Sequence, residues 1–218
     1  MESKKYNCLI YGATGATGRM VTKHCKQSDR WDQVFIIVRR SLPIYDELKA
    51  APNGDSLHVI MSEDIMDEDK VLEAKGSTQI HCVFNLLGSR VGRGKELFIQ
   101  IDKTFVVQSC VFAQKLNALL FSHITSEGSN KDSWFLNMRV KGECEEELMK
   151  AEMKLVSILR PGAFLDREND QRCGEKMSSC IPFMPKIKAD DLAKATMLNA
   201  VKRMDVISSG QPIEGETS

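Results

Sequence analysis

The sequence predicts a doubly wound α/β domain, a parallel sheet with helices on both faces, and three observations carry the prediction. Short apolar runs alternate with helical stretches along most of the chain, as β–α units joined by right-handed crossovers do. The run Gln33–Val38 (QVFIIV) is continuously apolar after its first residue instead of alternating, which marks a strand covered on both faces. The turn Gly12-Ala13-Thr14-Gly15-Ala16-Thr17-Gly18-Arg19 joins the first apolar run to the first helical stretch, a junction tight enough to need residues without a Cβ.

With 218 residues, 42% of them hydrophobic, the chain has the material for one compact core, so 1–218 is assigned to a single domain. Tyr6–Tyr11 (YNCLIY) is the first strand and Gly15–Ser28 the first helix. Gln33–Val38 and Leu57–Met61 are the second and third strands. Asp67–Lys75 opens on acidic residues, which suit a helix N-terminus, and Gly76 stops it. Gln79–Leu87 (QIHCVFNLL) is the fourth strand, Lys95–Leu116 a long helix, Ala118–His123 the fifth strand and Phe135–Lys150 another helix. Lys154–Arg160 is the sixth strand, closed by Pro161-Gly162. After Leu165 the pattern weakens into a polar stretch with Pro182 and Pro185, and helical character returns over Asp190–Lys202. Segments beyond the carboxyl ends of such strands build the substrate side, so about 163–188 is expected to form a small C-terminal lid. The tail, 208–218, is polar and turn-rich.

Composition removes several classes of function. Thirty basic residues balance thirty acidic ones, which argues against nucleic-acid binding driven by bulk charge. No apolar run approaches the roughly 18 residues needed to span a bilayer, and the short stretch Cys8–Tyr11 runs into glycines too early to serve as a signal sequence. Seven cysteines without a CxxC pair read as buried, reduced thiols of an intracellular protein. His24, His58, His81 and His123 are too scattered for a zinc site, so no metal is expected. The eleven methionines read as core filler.

The strand–turn–helix around Gly12, Thr14, Gly15, Ala16, Thr17, Gly18 and Arg19 has the chemistry of a pyrophosphate cradle on a Rossmann sheet. One glycine makes the turn, one lets the backbone approach the ligand, and one lets helix and strand pack; the helix N-terminus then offers free N–H groups. At the end of the second strand an NAD site carries a carboxylate for the ribose 2′-OH. Here Arg39 and Arg40 stand there instead, with no acid before Asp46. That favours NADP(H), the alternative being a solvated pair of strand-end arginines. Asp64 and Ile65, after the third strand, are placed to border the adenine, unless the acidic stretch there is only a polar loop. Arg90 and Arg93, in the loop Gly88–Gly94, are candidates for phosphate or substrate contact and equally for plain loop charges.

The glycine turn, Asn85-Leu86-Leu87-Gly88 after the fourth strand, Lys141-Gly142-Glu143 on a helix, and Arg160-Pro161-Gly162 after the sixth strand together resemble the atypical short-chain dehydrogenase/reductases. The run from Gly88 to Gly162 is similar to the Tat-interacting-protein oxidoreductase (metastasis-suppressor) family. The resemblance covers about Tyr6 to Val201 and implies NADP(H) as cofactor, with Leu87, Gly88, Lys141, Arg160, Pro161 and Gly162 among the residues that bind it. It implies a cytoplasmic protein with nuclear exposure, a homodimer pairing through the long helices, and protein partners of the nuclear-import-receptor type.

Reductases of this superfamily use Ser, Tyr and Lys: the serine orients a substrate carbonyl, the tyrosine passes a proton, and the lysine holds the nicotinamide ribose. The family positions match Ser126 and Lys141. Four residues before the lysine, where tyrosine belongs, stands Asn137, whose amide donates a hydrogen bond but releases no proton near neutrality. The chain's three tyrosines, Tyr6, Tyr11 and Tyr45, all precede the fourth strand. Taken singly, Ser126 also reads as a turn residue and Lys141 as a solvated lysine. A hydrolase built on His123 and Ser126 is disfavoured, since no GxSxG elbow is present. Three readings follow: a reductase of small carbonyl substrates with an altered acid, water or His123 supplying the proton; a crippled enzyme; or a non-enzymatic, cofactor-sensing regulatory protein.

Overall fold

A computed structural model of the chain describes residues 3–52, 54–164 and 186–210. Six parallel strands, β1 (Tyr6–Tyr11), β2 (Trp31–Val38), β3 (Leu57–Met61), β4 (Cys82–Asn85), β5 (Leu120–Ile124) and β6 (Val156–Leu159), form one sheet in the order β3-β2-β1-β4-β5-β6. Period-two alternation divides β1 between two cores. Tyr6, Cys8 and Ile10 face a layer made by helices α1 (Ala16–Gln27), α2 (Pro43–Ala50) and α7 (Ala189–Ser209). Leu9 and Tyr11 face α3 (Glu68–Lys75), α5 (Phe105–Lys115) and α6 (Leu136–Met149). Both faces of the sheet are therefore covered, as the unbroken apolar run in β2 requires.

Several elements differ from expectation for identifiable reasons. Helix α2 has no counterpart in the sequence reading; Pro43 starts it, because a fixed φ suits the first helical position and its missing N–H costs nothing there. Strand β4 stops at Asn85, whose Oδ1 accepts the Leu87 N–H at 3.1 Å and turns the chain out of the sheet. The long helix predicted over Lys95–Leu116 is broken by a π turn, Gln100–Thr104, between α4 (Lys95–Ile99) and α5. It ends beside Asn117, the one described non-glycine residue with positive φ (51°).

Helix α7 is longer than expected and takes in Ser208 and Ser209, stopping at Gly210 in the left-handed region. Its far end is held to the sheet by Asp205, which accepts from Arg30 Nη2 (2.7 Å) and Tyr6 OH (2.7 Å). Its near end is held to α1 by His24 Nε2 and Asp190 Oδ1 at 2.6 Å. Residues 165–185, most of the expected lid, and 211–218, most of the tail, lie outside the described residues. The two ends of that segment pair with each other, Ala163–Phe164 (β7) running parallel to Lys186–Ile187 (β8). Cys8, Cys25, Cys82, Cys110 and Cys144 are buried free thiols. Among the described residues no helix is long and apolar enough to cross a membrane, and no three His, Cys, Asp or Glu side chains converge as a metal site.

Candidate functional site

Strand order reverses between β1 and β4, so the chain leaves their carboxyl ends in opposite directions and opens a crevice there. Two glycines of the first turn are fixed by what lies against them. Gly12 has φ +78°, and a Cβ on it would sit 2.5 Å from the Leu86 carbonyl carbon. A Cβ on Gly18 would lie 2.1 Å from Gly12 O, so only glycine lets α1 rest on the turn. Gly15 is different. It is the exposed N-cap of α1, no side chain caps the helix, and no acid occupies its first turn. The N–H groups of Ala16, Thr17 and Gly18 therefore face the crevice with the helix dipole behind them, an arrangement suited to a phosphate. Thr14 stands half-buried on the rim.

At the carboxyl end of β2, Arg39 and Arg40 are exposed and form no ion pair with any described residue. No carboxylate follows the strand until Asp46 in α2. Arg19 comes from α1 with its Nε buried and without a hydrogen-bond partner among the described residues. The Tyr45 hydroxyl, on the helix that sequence reading missed, is likewise buried without a partner. Burial pushes its pKa up to about 12, against the opposing charge of Arg19. Arg19 and Tyr45 thus bring two buried donors, unpartnered among the described residues, near one another, while Arg39 and Arg40 stand exposed at the end of β2. Asp64 is committed locally: its Oδ1 accepts the Met66 N–H at 2.8 Å, and its carbonyl accepts from Asp67. Ile65 packs against the second core. A cavity of about 640 Å³, lined by Asp64, Tyr11, Glu68, Val107 and Lys115 among others, adjoins this edge between α3 and α5.

The other end of the crevice is built from side chains. Leu87 and Gly88 follow β4, and the Ser89 N–H donates to Asp102 Oδ2 at 2.6 Å. Asp102 Oδ1 lies 3.4 Å from Lys141 Nζ; the two side chains are 2% and 14% exposed. Asn137 sits one turn before Lys141, half-buried and without a hydrogen bond to any described residue. Ser126 Oγ is 3.3 Å from Ser129 Oγ and 3.7 Å from Met138 Sδ, so Met138, not Asn137, carries its contact with α6. Gly142 accounts for the close approach of loop and helix: a Cβ there would meet Lys131 N at 2.2 Å.

Two expectations change on this geometry. His123 is buried and pairs through Nδ1 with the Asn85 carbonyl at 2.9 Å. A carbonyl only accepts, so Nδ1 carries the hydrogen, and burial pushes the ring's pKa down to about 4. His123 is therefore neutral near pH 7, and its suggested role as proton source does not hold. Arg160 has both Nε (3.1 Å) and Nη2 on the carboxylate of Glu145, a buried residue that also accepts from Thr125 Oγ1 at 2.5 Å. The guanidinium is thereby occupied in tying α6 to the end of β6. Pro161 O accepts the Glu127 N–H at 2.9 Å, and Gly162 follows it half-buried.

Asp102, Tyr45 and Glu145 were not singled out in the sequence. Asp102 alone left a signal: it is the single acid in the otherwise apolar run from Leu97 to Val107, apart from Gln100, Lys103 and Thr104. A lone acid on the inner side of a helix needs a cation.

Protein HTATIP2 of Rattus norvegicus is 30% identical to this chain over 177 residues, which span 80% of this chain and 69% of that protein. The mitochondrial protein FMP52 of Saccharomyces cerevisiae is 27% identical over 171 residues, 77% of this chain and 70% of its own length. That of Kluyveromyces lactis is 28% identical over 186 residues, 80% and 77% respectively. Both FMP52 proteins are named mitochondrial, a finding that overturns the cytoplasmic location, with nuclear exposure, expected from the sequence. No family model matches the chain. Among solved structures, a short-chain type dehydrogenase/reductase from Mycobacterium ulcerans superposes with TM-score 0.68 at 17% identity, covering 91% of this chain and 84% of that one. The Bordetella bronchiseptica enzyme WbmH, in complex with NAD+, gives TM-score 0.69 at 15% identity, covering 91% and 72%. At these identities the structures establish the fold.

Proposed function

The chain belongs to the atypical short-chain dehydrogenase/reductases, in the branch of protein HTATIP2, and from that premise we propose that it binds NADP(H) and reduces a small carbonyl substrate weakly or with narrow specificity. The single observation that carries the reading is the β2 end. Arg39 and Arg40 are open, Arg19 Nε is buried and unsatisfied, and no carboxylate competes for a ribose hydroxyl. The residues present fit the cofactor: α1 opens on free first-turn amides with no capping side chain and no acid, and Arg19 Nε is buried without a partner among the described residues. The first-turn amides after Gly15 would take the diphosphate, and the three arginines an adenosine 2′-phosphate. Lys141 and the Leu87-Gly88 backbone would take the nicotinamide ribose. Pro161-Gly162 would border the ring. When bound, such a cofactor supplies hydride.

Ser126 and Asn137 would orient the carbonyl by hydrogen bonding. Neither releases a proton, and His123 is locked neutral. Loss of a positioned general acid costs about 10²–10⁴ in rate. That same observation favours a second reading, a cofactor-sensing regulatory protein with no turnover. The single domain with a substrate-side lid over about 163–188 belongs to this proposal. So does a homodimer through α5 and α6, where Val111 and Met149 stand exposed.

Calorimetric titration tests the cofactor. NADPH should bind at least about tenfold tighter than NADH, and Arg39→Ala with Arg40→Ala should remove that preference while sparing NADH. Equal affinities in the wild type would defeat the assignment. Single-turnover oxidation of bound NADPH against a panel of carbonyl compounds separates the two readings. Turnover gained only on Asn137→Tyr marks a binding protein; turnover present in the wild type and lost on that change marks a working, altered site.

A further inference from the structure

The cavity of about 640 Å³ between α3 and α5 has no part in the chemistry proposed above. It lies on the face of the sheet opposite α1 and α2, across from the first-turn amides and from the helix that follows Arg39 and Arg40. Val107, Val111 and Phe112 of α5 give it an apolar wall, and Tyr11 forms its floor. The Tyr11 ring is packed in the second core and the residue is 1% exposed, yet its hydroxyl makes no hydrogen bond to any described residue. Phenylalanine would fill the same core space. A hydroxyl carried to that depth costs free energy unless something in the cavity meets it. Burial, with the charges of Glu68 and Asp64, holds its pKa above the usual phenol range, so it keeps its hydrogen and can both donate and accept.

The rim is negative: Asp64, Asp67, Glu68 and Asp69 line it against the single cation Lys115. Asp67 is committed to the start of α3, where it accepts from Ser62 Oγ at 2.7 Å and from the Lys70 N–H at 3.1 Å. Asp69 has no hydrogen bond or ion pair with any described residue. Glu68 Oε2 meets Lys115 Nζ across the cavity at 2.8 Å, through side chains that are 36% and 59% exposed. Among the described residues no three acids converge as a metal site, so this field suits an organic cation. We propose that the cavity is a second binding site, one that takes a primary amine on an apolar, ring-sized body. The ammonium lies between Glu68 and the Tyr11 hydroxyl, and the body lies on Val107, Val111 and Phe112. Lys115 is then the resident competitor, an ammonium of the chain itself on the same carboxylate. The site stands apart from the NADP(H) reading.

Calorimetry on the full chain tests the site with 2-phenylethylamine, and with 2-phenylethanol as its uncharged counterpart. The amine should bind one to one and at least about tenfold tighter than the alcohol. Glu68→Gln should weaken it about fivefold or more, whereas Lys115→Gln, which frees Glu68, should strengthen it about two- to fivefold. An exposed ion pair adds little to stability, so both variants should fold. Tyr11→Phe should weaken the amine about threefold or more without lowering Tm. A lowered Tm with unchanged amine affinity would give the hydroxyl to the protein's own structure and overturn its role. Saturating 2′,5′-ADP should leave the amine affinity within about twofold. Direct competition would make the cavity part of an adenosine pocket and overturn a separate site. No binding at about 10 mM amine, equal affinity for the alcohol, or changes of the same sign in Glu68→Gln and Lys115→Gln would each overturn the proposal.

Discussion

The two ends of the crevice are built from different materials. At the proposed phosphate end the determinants are backbone: the positive φ of Gly12, the contact between Gly18 and Gly12 O, and free amides at the start of α1. At the proposed reaction end they are side chains from three elements, Ser126 from the loop after β5, Asn137 and Lys141 from α6, and Asp102 from the π turn, held by ion pairs and by the fit of Gly142 on the 130–131 loop. Backbone sites are rigid and tolerate one sequence pattern. Side-chain sites can lose a member, as the proposed reading of Asn137 supposes, while the frame around them persists. The phosphate end should therefore respond to substitution as a packing problem, and the reaction end as an electrostatic one.

The largest effect is expected at Gly18. An alanine Cβ there meets Gly12 O at 2.1 Å, so α1 must lift off the turn that it caps. Urea unfolding should show a loss of about 3 kcal/mol or more, the upper part of the range for overpacked positions, and NADPH binding should vanish with it. A Gly18→Ala protein of wild-type stability would show that the turn is pliable and dissolve the contrast between the two ends.

The next effect belongs to the reaction end and follows pH. His123 in the folded chain has a pKa near 4, against 6.5 ordinarily. A depressed pKa means that the unfolded chain takes up a proton that the native state refuses. The contribution is therefore complete above about pH 6.5 and is lost as the pH falls toward 4, by at most about 3 kcal/mol. His123→Gln should flatten that part of the stability curve, even if it lowers the whole curve. An unchanged slope would place the acid sensitivity elsewhere.

Arg160 and Glu145 come third, and their asymmetry is informative. Glu145 is buried whereas the Arg160 side chain is 57% exposed. Removing the arginine strands a buried carboxylate, while removing the glutamate releases a cation into water. Arg160→Ala should cost about 2 kcal/mol and Glu145→Gln less, by thermal or urea unfolding. The reverse order would mean that the guanidinium has a further task, which the cofactor's nicotinamide end would supply.

How much of this was legible follows the same division. The fold and the tight glycine turn were readable because glycine spacing and unbroken apolar runs are local signals, each tied to a backbone requirement. Arg39, Arg40 and Lys141 were readable by position, since they follow from where a strand ends or a motif falls. Asp102 was not, because its partner lies 39 residues on and only the packing of a π turn against α6 brings them together. Helix α2 was hidden by Pro43, which reads as a breaker unless placed at the first helical position. The neutrality of His123 was hidden for another reason: its acceptor is a backbone carbonyl, which no residue type announces.

The smallest change in stability is expected at Gly15, and it bears most directly on what the crevice is for. Gly15 has φ −72° and ψ 167°, ordinary for any residue at an N-cap, and its added Cβ would meet only Gly12 O, at 3.3 Å. Alanine is a slightly poorer N-cap than glycine but also narrows the unfolded ensemble, so the two terms nearly cancel. Gly15→Ala should leave unfolding within about 0.5 kcal/mol of wild type. The methyl group nevertheless projects where a diphosphate would lie against the first-turn amides, so NADPH affinity should fall about tenfold or more. Gly12 and Gly18 are required by the protein's contact with itself; nothing among the described residues requires glycine at 15. A Gly15→Ala protein that kept full affinity would leave that residue without a reason, and with it the claim that the turn is shaped for a phosphate ligand and not merely for a tight corner.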